Sequence, residues 1–188
     1  MKMAMTQTKT RKKTETPKLP PNPFTFEVLQ LASKQRSKAK KVEILQTYAH
    51  DSLKAIFIWN FDESVVSLLP PGEVPYFGED GMESMTLTEK INRAAEAMEN
   101  GNSIGATDQK HTTLRTEYTK LYNFIKGGND SLSGLRRESI FIQLLEGLHP
   151  LEAEIICLCK DKQLETKYKI TKEIVSQAYP DITWGGRS

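Results

Sequence analysis

The sequence predicts an all-α protein: a single multi-helix domain behind a flexible basic N-terminal tail. Three observations predict it. Apolar residues recur at helical spacing in several separate windows, capping and breaking residues fall where those windows begin and end, and no pair of segments alternates clearly enough to supply partner strands.

Pro20, Pro21 and Pro23 block regular structure, after which Thr25 is placed to cap a short helix through Phe26, Leu29, Leu31 and Ala32. Ser37 starts a second helix with Val42, Ile44, Leu45 and Tyr48 on one face, and Asp51 caps a third through Leu53, Ile56, Phe57 and Phe61. Ala55 to Trp59 has the branched and aromatic content of a buried strand, but helix is preferred because no partner strand is in evidence. Pro70, Pro71, Gly72, Pro75, Gly78 and Gly81 make Leu69 to Met85 a long irregular connection, with Tyr76 and Phe77 available to pin it to the core. Thr88 caps the next helix, Glu89 to about Met98, and Asn100 and Gly101 supply its left-handed stop. Leu114, Tyr118, Leu121, Tyr122 and Ile125 then keep helical spacing until Gly127 and Gly128. Ser133 to Gly147 and Pro150 to Lys160 are the two core helices, with Pro150 suited to a first turn and Glu152 and Glu154 to the positive helix end. Ile174, Val175 and Ala178 mark a last helix, and the segment joining it to Lys160 is expected on the surface.

A chain of 188 residues holds one domain of about 150 residues and a tail. The division expected is a tail over 1–23, a helical domain over 24–183 and a short tail over 184–188. With 38% hydrophobic residues and a mean hydropathy of −0.50, the composition is that of a soluble, highly charged protein. No apolar run approaches the roughly 20 residues that span a bilayer, so no membrane partner is expected. The basic N-terminus lacks the apolar core of a secretory signal, which predicts a cytoplasmic chain. Cys157 and Cys159 lie about 200° apart on a helix and read as reduced thiols. Three histidines and no second cysteine pair give no metal-ligand spacing, and no cofactor is expected.

Charge is distributed unevenly around a net +2. Lys2, Lys9, Arg11, Lys12, Lys13 and Lys18 face only Glu15 in the tail, whereas Asp62 to Glu99 holds nine acids against Lys90 and Arg93. Two further basic clusters lie in the folded part. Lys34, Arg36, Lys38, Lys40 and Lys41 follow the first helix, and Lys160, Lys162, Lys167, Lys169 and Lys172 crowd the segment before the last. Such clusters on rigid corners are what a polyanion binder needs, and solvated loops carry them too. Other candidate chemistry is thin. His149 before Pro150 reads as a helix-start residue, adjacent His50 and Asp51 do not face each other on a helix, and IKGGN at 125–129 lacks the spacing of a phosphate loop. Trp59 and Trp184 read as packing residues rather than base-stacking platforms.

Several segments resemble the N-terminal helical DNA-binding domain of ATP-dependent DNA ligases, especially the small phage form. FEVLQLASKQRSKAKKVEIL is similar to that domain's opening helix, basic turn and second helix, and HDSLKAIFIWNFDESVVSLLPPG to its next helix and proline-bearing exit. MTLTEKI resembles the threonine-capped start of its middle helix, and LEAEIICLCKDKQLETKYKITKEIVSQAYP its last helical hairpin. The whole chain also resembles uncharacterised small proteins carried by tailed phages of marine cyanobacteria. The ligase resemblance implies that the hairpin lies on the DNA minor groove, with Lys160, Lys162, Lys167, Lys169 and Lys172 on phosphates, Tyr168 along the sugar edge, and Lys34, Arg36, Lys38, Lys40 and Lys41 as a second grip. It does not extend to catalysis. No lysine stands in a KxDG motif, and the nucleotidyltransferase domain has no counterpart, so no catalytic residue is expected. In the hairpin, Glu165, Thr166, Lys167, Tyr168 and Lys169 stand where that domain has small residues.

The expected function is therefore non-catalytic, phosphate-led and largely sequence-independent binding of duplex DNA, serving phage DNA metabolism. The alternative is a helical adaptor that contacts a phage or host replication or transcription protein without touching DNA.

Overall fold

The computed structural model describes residues 15–74, 86–99 and 112–187. Within these the chain forms α1 (Thr25–Ser33), α2 (Lys38–Thr47), α3 (Asp51–Phe61), α4 (Leu87–Glu99), α5 (Leu114–Glu117), a 3-10 helix (Tyr118–Phe124), α6 (Gly134–Gly147), α7 (Pro150–Lys160), α8 (Leu164–Tyr168) and α9 (Lys172–Ala178). The described residues form no sheet; pairing is confined to the isolated bridges Ser67–Ile125 and Thr112–Leu148. The fold is all-α, as the apolar spacing predicts.

The most deeply embedded element is α7. Leu151, Ala153, Ile155, Ile156 and Cys159 are all buried, and α1, α3, α4, α6 and α8 pack around this helix. So placed, α7 must also satisfy two charged side chains inside the protein. Near its start, Glu152 is fully buried and accepts hydrogen bonds from the backbone N–H of Thr25 at 3.0 Å and of Leu114 at 3.1 Å. These are the first residues of α1 and α5, whose N–H groups have no partner within their own helices. One carboxylate thus caps two helices that are remote in sequence.

The helix starts follow local chemistry with some corrections. Ser37 caps α2 through the Lys40 N–H, as expected. His149 caps α7 by accepting from the Leu151 N–H at 3.1 Å through Nδ1, and its ring stacks on Phe26 at 4.8 Å. The expected caps at Thr25, Asp51 and Thr88 are displaced. Thr25 lies inside α1, where Glu27 accepts from the Phe24 N–H instead. His50 caps α3 through the Ser52 N–H, leaving Asp51 in its first turn. At α4, Thr86 and Glu89 exchange side-chain to backbone bonds as a capping box.

Residues 114–125 do not continue as one α-helix. After a single α turn the chain tightens into the 3-10 helix, and Gly128 folds back against its end: a Cβ on Gly128 would sit 1.9 Å from the Tyr122 carbonyl oxygen. The buried Arg137 fastens this corner by donating to the carbonyls of Asn123, Asn129 and Leu132. The boundary expected at residue 23 also moves. Leu19 is partly buried against the core and its N–H donates to the Tyr48 hydroxyl at 3.0 Å. Tyr76, Phe77, Asn100 and Gly101, and most of the connection after Leu69, lie outside the described residues.

Replacing Glu152 by Ala strands two buried N–H groups and opens a void, at a cost on the order of 3–5 kcal/mol. The thermal midpoint of Glu152→Ala is expected to fall by about 10 °C or more; an unchanged midpoint would contradict the double-capping role.

Candidate nucleic-acid interface

The lysines of the last hairpin divide into those used inside the protein and those facing solvent. Lys160 is 4% exposed; its ammonium donates to the Pro70 carbonyl at 2.8 Å, the Gly72 carbonyl at 3.0 Å and Asp161 Oδ1 at 2.8 Å. All three of its donors are satisfied, and no phosphate can reach it. The Lys162 ammonium donates to the carbonyls of Trp59, Asp62 and Val65 at 2.6, 3.1 and 2.9 Å. It thereby neutralises the negative end of α3, and burial draws its pKa down. Tyr168 is 2% exposed, so its hydroxyl cannot lie along a sugar edge. The phosphate and sugar roles expected of Lys160 and Tyr168 are therefore corrected to structural ones, while Lys162 is exposed with its ammonium committed to three carbonyls.

The hairpin is also less of a surface loop than its charge suggests. Leu164, Tyr168 and Ile170 are buried, and α8 interrupts the connection. Lysines occupy two backbone positions that ordinarily favour glycine: Lys162 at φ 59° and Lys169 at φ 53°. At the first, the Lys162 N–H reaches the Cys159 carbonyl and the Gln163 N–H the Leu158 carbonyl, a Schellman closure of α7. At the second, Lys169 ends α8 in the left-handed conformation and presents its side chain to solvent.

Lys34, Arg36, Lys38, Lys40, Lys169 and Lys172 are exposed, and Lys41 is half-buried. They belong to one region because α2 packs on α9. Lys41 Nζ donates to the Lys169 carbonyl at 2.6 Å across 128 residues of sequence, and Lys38 pairs with Glu173 at 2.7 Å across 135. The two basic clusters thus meet along the α2–α9 contact. Lys34, Arg36 and Lys40 form no ion pair with another described residue. Lys167 stands at the margin, paired with Glu154 from α7, and burial lowers its pKa. Lys18, the last cation of the basic tail, is exposed one residue before Leu19 fastens the chain to Tyr48 at the end of α2. Residues 1–14 of that tail lie outside the described residues.

Behind the α3 end, Asp62 gathers a second set of contacts that the sequence did not flag. Its carboxylate accepts from the Ser64 N–H and hydroxyl, the Gly185 N–H and Arg187 Nη1. Burial pushes its pKa up, but these hydrogen bonds outweigh burial and hold it at about 2.

Elsewhere, a cleft of about 510 Å³ opens between α4, α7 and residues 72–74. Its acids are engaged: Glu154 with Lys167, Asp161 with Lys160, and Glu73 with the Thr88 hydroxyl. Cys157 lines it with a thiol that burial pushes up to about 12, so it stays protonated at neutral pH and is a poor nucleophile. Cys157 and Cys159 are free thiols. Among the described residues no three His, Cys, Asp or Glu side chains gather as metal ligands, and no helix is long and apolar enough to cross a membrane.

The Asp62 contacts carry a pH prediction. A carboxyl whose folded-state pKa is depressed contributes stability that is present above its unfolded pKa, near 4, and is lost as pH falls toward 2. Acid titration of the thermal midpoint is expected to drop through that window, and Asp62→Asn to flatten the drop; equal slopes would contradict the assignment.

No curated protein and no solved structure matches the chain. A family model matches residues 28–103 and 96–166, a span that runs from within α1 to within α8 and takes in the basic cluster from Lys34 to Lys41. The chain belongs to that family, a family of unknown function designated DUF6433.

Proposed function

We propose that the protein is a non-catalytic binder of duplex DNA, holding the phosphate backbone across the minor groove with little reading of base sequence, in the service of phage DNA metabolism. The observation that carries this reading is the meeting of the two basic segments at the Lys41–Lys169 and Lys38–Glu173 contacts. Solvated loops gain nothing from such convergence, whereas a polyanion needs cations on one surface. The binding set is Lys34, Arg36, Lys38, Lys40, Lys41, Lys169 and Lys172, with Lys167 at its margin. Lys18, exposed beside the end of α2, adds to the same field.

The resemblance of the opening helices and last hairpin to the ligase DNA-binding domain supports the same surface. The detail differs from the resemblance: bulky residues fill the hairpin where close backbone approach would need small ones, so contact is through long lysine side chains. That favours charge over shape, and predicts tolerance of sequence.

The adaptor reading draws on different residues. Leu135 is 79% exposed and Tyr122 50% exposed, with Val66 and Leu68 also outside the core. Tyr122 lines an apolar cleft of about 300 Å³ with Ile58, Val65 and Ile125, but nothing in the structure indicates what would fill it, and the DNA reading is preferred.

Lys34→Glu combined with Lys40→Glu is expected to weaken duplex binding at least tenfold on every sequence tested. The slope of log affinity against log salt should fall by about two, near 0.9 for each lost phosphate contact. Lys167→Glu should have a smaller effect. Absence of any duplex shift in a low-salt gel would overturn the DNA reading in favour of the adaptor.

A further inference from the structure

Beyond α9 the chain returns across the fold as a strap. The Ile182 N–H bonds the Tyr179 carbonyl at 3.1 Å, and Trp184 packs partly buried against the core. Gly185 and Gly186, at φ 87° and 73°, turn the backbone so that the Gly185 N–H meets Asp62 Oδ2 at 3.0 Å. Arg187 closes on the same oxygen at 2.6 Å, and its N–H reaches the Ser64 hydroxyl at 3.1 Å. Immediately before Gly185, Trp184 Nε1 donates to the Ser176 hydroxyl at 3.1 Å, and Lys172 Nζ lies over the indole ring, 5.0 Å from its centroid.

We infer that Trp184 is a positioning residue for the basic face, and that the strap carrying it belongs to the DNA-binding site; the inference rests on the DNA reading above. A surface lysine must surrender rotamer freedom to meet a phosphate, and one already held loses less. Three lysines of the face are held in this way. Lys38 is fixed by Glu173 and Lys41 by the Lys169 carbonyl, and Lys172 rests on Trp184. The ring is the holder that leaves the cation fully available: it takes no N–H as a carbonyl would, and brings no opposing charge as a carboxylate would. The indole is itself immobilised, with its edge on Ser176 and its backbone drawn toward Asp62. Lys172 occupies one face of the ring.

The test is a titration of the full chain on a short labelled duplex at low salt, with thermal midpoints recorded for each variant. Trp184→Ala leaves the net charge unchanged and is expected to weaken binding about two- to fivefold, while Trp184→Phe keeps most of the affinity. Lys172→Ala should lose at least as much as Trp184→Ala, and the double variant no more than Lys172→Ala alone. Should Trp184→Ala fail to fold, Ser176→Ala carries the same test: lower affinity than the wild type, and no effect once Lys172 is Ala. Affinity equal to or above that of the wild type for Trp184→Ala, or losses that add in the double variant, would overturn the positioning role and leave the DNA reading standing. Absence of duplex binding by the wild-type chain would overturn both.

Discussion

The carboxylate of Glu152 sits where two helices begin, and the arrangement of the domain depends on it. α1 and α5 each bring an N-terminus to the same buried point, so the charge on α7 is stabilised by two N–H donors and the positive ends of two helices. Burial pushes its pKa up against those donors. With α1 held there, its far end and the turn at Lys34 to Ser37 have a defined position, and α2 follows onto α9. The basic face is thus set indirectly by an acid inside the core.

At the opposite end of α7 the same logic runs with reversed sign. Lys160 and Lys162 each direct an ammonium into three acceptors, most of them backbone carbonyls left over where residues 70–72 and the end of α3 stop. Cations bound in this way fasten irregular segments that have no regular partner. They contribute to the shape of the hairpin, and the buried Lys160 is withdrawn from the surface. Lys169 and Lys172 contribute an outward field, and the turn at Lys169 places its carbonyl where Lys41 reaches it.

Much of the fold was legible in the sequence because its cues are local. The 3.6-residue spacing and Pro150 define α7 as Pro150–Lys160, which is the observed helix, and Ser37 marks α2 by its own hydroxyl. What could not be read depends on distant partners. The burial of Lys160 requires carbonyls 88 and 90 residues away, and no local pattern marks a lysine for that fate. α8 and its end were obscured because lysine, at Lys169, occupies the left-handed position where glycine would have signalled a stop. One signal was present and passed over: Leu164 and Tyr168, four residues apart, share a helix face and both are buried. The clustering of cations in the sequence was informative about the face as a whole, but not about which cations belong to it.

Hydrogen–deuterium exchange of the full chain, with and without a duplex of arbitrary sequence at low salt, tests the central claim most directly. The account predicts slowed exchange in two segments that are far apart in sequence, residues 34–41 and 169–173, with little change around Tyr122 and Leu135. Protection confined to Val66–Leu68 and Leu135, or protection of only one of the two basic segments, would contradict it.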